Sequence, residues 1–208
     1  MLNENNLGFY IQARDGVIPF KDANSMNIRR IKKIDFNGNI FFDDKVRTKT
    51  DMILIKNGDL VISGINVEKG AIALYQGKED VLATIHYSSY ILNKKNIDPD
   101  FFDCLIQSDY LKAKLLMQRS GGIKTEIKSK EFLKLNVKLP ASIVDQKKIV
   151  NIYKKKEQKF KNILDKFLKL HHSVNELYIS QIHKIADLDN TKKFKEISQL
   201  ELISGQDV

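Results

Sequence analysis

Between Ser142 and Ile185 apolar residues recur at alternating steps of three and four: Phe160, Ile163, Phe167, Leu170, Val174 and Leu177, with Ile149 and Tyr153 in the same register further back. A stripe of that period is the a/d seam of a coiled coil, narrower than the apolar face of a helix lying on a globular core. Lysine crowds the positions between, and those faces stay in water. Such a helix spans roughly 60 Å at 1.5 Å per residue, more than the diameter of a small domain. The segment therefore predicts one long helix, residues 141–187, that needs a partner helix. The alternative reading is a C-terminal helix folded over its own domain. Leu139-Pro140 marks the start, because proline suits a first turn whose N–H has no partner anyway.

Ahead of that break, residues 1–140 read as short strands and turns. Gly8 to Val17 predicts a strand entering an Asp-Gly turn, and Asn37-Gly38 a tight turn into Ile40-Phe41-Phe42. From Ile28 to Ile34 apolar and basic residues fall on opposite faces. Lys56-Asn57-Gly58-Asp59 is a turn feeding a buried strand, Leu60 to Ser63, and Ala71 to Tyr75 closes a hairpin. Val81 to Leu92 is a further strand region with His86 to Ser89 at its middle. Asp98-Pro99 caps a helix from Phe101 to about Met117, and Ser129 caps a short helical turn before the strand Leu135–Leu139. Strands and helices follow no βαβ alternation, which gives an α+β fold class.

With 208 residues the chain holds one good-sized core and an appendage. No apolar run is long enough to cross a bilayer, and the polar start Met1 to Asn6 is no signal peptide. The single cysteine, Cys104, sits in an apolar run and reads as a buried thiol in a reducing cytoplasm, where the protein is expected. A net charge of +9 makes nucleic acid the leading partner class and an anionic membrane surface the second. No segment reads as a basic amphipathic helix with a broad apolar face, which weighs against the membrane.

No catalytic or metal-binding constellation appears. The Gly64–Gly70 loop lacks Walker spacing, so nucleotide binding is not expected there. His171, His172 and His183 fall on the long helix, and His86 stands alone among strands and loops. Asp43-Asp44 reads as solvated. The chain is expected to be no enzyme and to hold no metal or cofactor of its own.

Several pieces in order carry a likeness: Gly58 to Ser63, the hairpin after it, Ile97-Asp98-Pro99-Asp100-Phe101, the Ser120-Gly121-Gly122 loop, and Leu139-Pro140 followed by Asp145-Gln146-Lys147-Lys148-Ile149-Val150. Over about residues 50–155 they resemble a target recognition domain and its following helix in the specificity (S) subunits of type I restriction–modification systems. Asp145 departs from the glutamate usual there. The resemblance implies a non-catalytic reader of double-stranded DNA. In such systems methyltransferase subunits dock on the S subunit and methylate adenine from S-adenosylmethionine, and restriction subunits can join. Family members hold two recognition domains on two antiparallel helices, whereas this chain has one of each. The expectation is therefore a homodimeric half-subunit, paired through the helix as an antiparallel coiled coil, reading a split symmetric target. Residues 188–208 resemble the start of a recognition domain, and Phe9 to Gln12 resemble the segment that comes soon after such a start, as in a circularly permuted half. The competing expectation is a helix-mediated interaction protein, a decayed S fragment or decoy of methyltransferase subunits.

On this reading, base or near-base contacts fall to Ser63, Asn66, His86, Tyr87, Ser88, Arg119 and Thr125. Phosphate contacts fall to Arg29, Arg30, Lys32, Lys33, Arg47, Lys69, Lys124 and Lys128.

Overall fold

A computed structural model describes residues 1–43, 47–118 and 129–188. The chain divides into two compact units, Met1–Ile152 and Tyr153–Val208. The first is α+β. It comprises β1 (Leu2–Asn6), a 3-10 turn (Leu7–Phe9), β2 (Ile11–Ala13), β3 (Val17–Ile18), α1 (Phe20–Ser25), β4 (Arg30–Ile34), β5 (Ile40–Asp43), β6 (Met52–Ile55) and β7 (Leu60–Ser63). Next in the chain are a second 3-10 turn (Val67–Lys69), β8 (Ile72–Leu74), β9 (Val81–Thr84), β10 (Tyr87–Leu92), α2 (Pro99–Ile106), α3 (Asp109–Gln118), α4 (Ser129–Leu133), β11 (Asn136–Pro140) and the start of α5 (Ile143–Leu188).

The strands form three sheets: β1 with β11, then β2-β10-β7-β8, then β3-β6-β9-β4-β5. All pairings are antiparallel except β4 with β9. Strand β7 explains the stacking. Leu60 and Ile62 enter the main core with Tyr90, Phe102 and Phe132, while Val61 enters a second core with Ile31, Ile55 and Ala83. A strand buried on both faces must read as an unbroken apolar run, and this one does.

Several expectations need correction. The region Val81–Leu92 is two strands that belong to different sheets, with Ile85-His86 at the corner between them. The predicted strand Gly8–Val17 is broken into a 3-10 turn, β2 and β3. The helix predicted from Phe101 to Met117 is two helices. Ser108 divides them, its hydroxyl donating to Leu105 O (2.6 Å) and accepting from Leu111 N (3.3 Å), so that it closes one helix and opens the next. The cap at Asp98 is as predicted: its side chain accepts from Phe101 N, and Pro99 is the first helical residue. Cys104 is only half-buried against the main core.

Helix α5 has 46 residues, roughly 70 Å at 1.5 Å per residue. Its opening turns belong to the globular unit, which therefore extends past the predicted boundary at 140: Gln146 and Val150 are buried there. Gln146 Oε1 accepts from Asp98 N at 2.7 Å, and Nε2 donates to Pro140 O and Asn96 O at 3.0 and 3.2 Å. One side chain thus joins the Ile-Asp-Pro segment, the end of β11 and the helix start. Gln146→Leu would orphan three backbone groups at about 1 kcal/mol or more each. The expected result is a fall in melting temperature of roughly 6–12 °C, read by circular dichroism. A change within about 1 °C would show that these bonds contribute nothing.

In the second unit the helix is exposed from Tyr153 to Lys184, half-buried Glu157 apart. Ile149, in the first unit, is 44% exposed, and Tyr153, Phe160, Ile163, Phe167, Leu170, Val174 and Leu177 range from 53% to 65%. Leu164, Leu168, Tyr178 and Ile182 form a further exposed apolar line beside this seam, so the apolar face is broader than two heptad positions. The helix is also rich in lysine, so it departs from the expectation that no basic amphipathic helix has a broad apolar face. Among the described residues no helix is long and apolar enough to cross a membrane.

Candidate nucleic-acid interface

The β4–β5 hairpin presents its cations by a local irregularity. The register shifts between Ile31 and Lys33, so Ile31 and Ile34 both point inward while Lys32 and Lys33 both face water. Lys33 Nζ lies 4.7 Å from the centre of the Phe41 ring, and Arg29, just ahead of β4, lies 4.5 Å over Phe42. The hairpin tip is held by Asp35, whose carboxylate accepts from Asn37 N, Asn39 N and Asn39 Nδ2 at 2.8–3.0 Å. Those bonds, led by that from the Asn39 side chain, hold the Asp35 carboxyl below the usual range.

The tip meets the loop after β7. Gly70 (φ +103°) has its Cα so close to the Phe36 carbonyl that a Cβ there would collide with that oxygen. Lys69 Nζ stands 5.8 Å from the Phe36 ring. The same loop meets the β9–β10 corner: Gly64 N donates to His86 O at 3.4 Å, and Ser63 pairs with Tyr87 across the sheet. Three segments distant in sequence therefore bring Ser63, Asn66, Lys69, His86 and Tyr87 beside the hairpin that carries Lys32 and Lys33.

Individual side chains fare differently. Lys32, Lys33, Lys69, His86, Arg29 and Arg47 are exposed, and Ser63, Asn66 and Ser88 half-buried. Tyr87 packs its ring on the second core, and burial pushes its phenol up, which leaves less of it for a base than predicted. Arg30 is a correction. It is 6% exposed, its guanidinium donating to Ala23 O and Asn24 Oδ1 at 3.0 and 3.1 Å, so it ties α1 to β4 and touches no phosphate. Arg119, Lys124, Thr125 and Lys128 lie outside the described residues, as do Asp44 and most of residues 188–208.

The sequence reading missed the aromatic groups here. Phe36 and Phe41 are exposed at 53% and 43%, interleaved with the cations of the hairpin. The signal was phenylalanine close to lysine on either side of an Asn-Gly turn. Arg29, Phe42 and Tyr75 also line an open cleft of about 510 Å³. Among the described residues no three histidine, cysteine or acidic side chains gather as a metal would need.

Comparison with solved structures places the fold. A chain from a structure on complex assembly and conformational transition of the type I R-M system superposes with a TM-score of 0.62 at 13% identity, covering 90% of this chain and 47% of that one. The HsdS subunit from Thermoanaerobacter tengcongensis superposes with a TM-score of 0.59 at 16% identity, covering 78% of this chain and 43% of its own. The fold is thus that of HsdS subunits of type I restriction–modification systems. The chain spans less than half the length of each. No family model matches the sequence, and no curated protein does.

Proposed function

We propose that the chain is a non-catalytic DNA-recognition subunit of a type I restriction–modification complex, working as a homodimer whose two copies supply the two halves of a specificity subunit. The observation that carries the recognition part of this reading is the fold: nine-tenths of this chain superposes on a chain from a type I R-M structure. The exposed seam supports the pairing, since eight large apolar side chains on one helix line are what an antiparallel partner would cover. The neighbouring line of Leu164, Leu168, Tyr178 and Ile182 offers room for a methyltransferase subunit on the same scaffold. On this reading S-adenosylmethionine binds that partner and not this chain.

Each copy reads its half-site with the surface formed by the β4–β5 hairpin, the loop after β7 and the β9–β10 corner. Lysines there hold phosphates, and polar side chains at Ser63, Asn66 and His86 face base edges. Lys33→Gln should weaken binding to all duplex sequences alike and lower the slope of log K against log salt by about one unit, measured by fluorescence anisotropy. An unchanged slope would take the hairpin out of the interface. Light scattering on the intact protein tests the pairing: twice the 24.0 kDa chain mass is expected, and a monomer at all concentrations overturns the half-subunit reading.

A further inference from the structure

The positive charge of this protein is concentrated where no recognition loop lies. Between Lys147 and Lys169 stand nine lysines, no arginine and only two acids, Glu157 and Asp165, a surplus of seven in 23 residues. Residues 1–140 carry 22 basic side chains against 17 acidic ones, a surplus of five. The helix, not the recognition unit, is the strongly basic element.

These lysines are ordered. Lys155, Lys159, Lys166 and Lys169 follow steps of four, seven and three, which keeps them on one line of an α-helix. Asn162 falls on the same line, and no apolar residue interrupts it between Lys155 and Lys169. The Leu164–Leu168 line lies on the far side of the helix from them. The seam borders them, Ile163 and Leu170 standing four residues on from Lys159 and Lys166, so a paired helix covers the seam and leaves these flanking ammonium groups in water. Lys169 pairs with Asp165 at 2.9 Å. Lys155, Lys159 and Lys166 enter no ion pair among the described residues. The line is about 21 Å long, the length of some six base-pair steps at about 3.4 Å per step.

The composition selects the partner. Protein interfaces are anchored by aromatic residues and arginine and depleted in lysine, and this line has no such anchor. A membrane surface would take up the apolar face of the helix with the lysines above it, and on the pairing proposed above that face is covered by the partner helix. Ammonium groups ranged along one line on flexible stems suit a polyanion contacted as point charges, without base readout. We propose that the Lys155–Lys159–Lys166–Lys169 line of α5 is a second, sequence-independent contact to the phosphates of duplex DNA. The inference rests on the DNA-reading function proposed above, and gives the helix a part in holding the stretch between half-sites.

The test uses the full chain with Lys155→Gln, Lys159→Gln and Lys166→Gln combined. Helix content by circular dichroism and mass by light scattering serve as controls for folding and pairing. Anisotropy titrations with a random-sequence duplex at several salt concentrations should show the slope of log K against log salt reduced by about 2.7 per chain. Preference among sequences should be unchanged. A wild-type slope in the variant overturns the lysine line while leaving the recognition reading intact. A reduced slope in a protein that prefers no sequence keeps the line and removes the recognition reading. Failure of the wild-type protein to bind duplex overturns both. An unchanged slope with lost binding to phosphatidylserine vesicles, or to a methyltransferase subunit, reassigns the lysines to lipid or protein and overturns the DNA contact.

Discussion

On the pairing proposed above, Phe167→Asp should convert a dimer of 48 kDa, twice 24.0 kDa, to a monomer with its first unit still folded. Phe167 lies near the middle of the exposed seam, on a part of α5 that belongs to the second unit. Truncating one buried phenylalanine costs about 3–5 kcal/mol, and a symmetric dimer carries the change twice. The expected loss is therefore about 6–10 kcal/mol, roughly 10⁴-fold or more in dissociation constant, before the burial of two carboxylates is counted. Equilibrium sedimentation reads it. A variant that stays dimeric would show that the seam is not the pairing surface.

Asp59→Ala should damage the recognition unit itself. Asp59 is 2% exposed at the turn between β6 and β7. Its carboxylate accepts from Arg14 Nε and Nη2 at 2.5 and 2.8 Å, from Lys56 N at 2.9 Å and from Ser89 Oγ at 3.1 Å. The turn, the end of β2 and strand β10 are joined at this one group. Its charge also holds the Arg14 guanidinium above its ordinary range, chiefly through the hydrogen bond. Arg14 keeps 21% of its side chain exposed and can turn to water, but Lys56 N and Ser89 Oγ lose their acceptor at about 1–3 kcal/mol each, so the cost is about 2–6 kcal/mol. Urea unfolding should shift by that amount with an unchanged m value. A loss below about 1 kcal/mol would mean that water replaces the carboxylate without penalty.

Features set by near neighbours in the chain were legible. The Asp98 cap, the turns at Asn37-Gly38 and Lys56–Asp59, and the long helix all follow from signals a few residues apart. The break at Ser108 was written in the same code, in the polar run Gln107-Ser108-Asp109 between two stretches of helical period. What could not be read is long-range. Nothing near Leu2–Asn6 announces its pairing with Asn136–Pro140, and nothing near Lys33 announces the bulge that turns it outward. Arg30 shows the consequence. In a run of alternating apolar and basic residues it resembles its neighbours, and only the contact with α1 removes it from the surface. The site suffered likewise, since Lys69 and Phe36 meet only through the Gly70 contact. Gln146 is the converse case: two of the short segments that carried the family resemblance prove to be hydrogen-bonded to each other through it.

Two identical chains should together specify one split DNA target. Co-expressing the chain with a methyltransferase subunit and mapping methylated adenines across the host genome reads this out. Methylation is expected at one motif whose two halves are inverted repeats of each other, separated by a fixed gap. Complex formation without methylation, or an asymmetric motif, would contradict it.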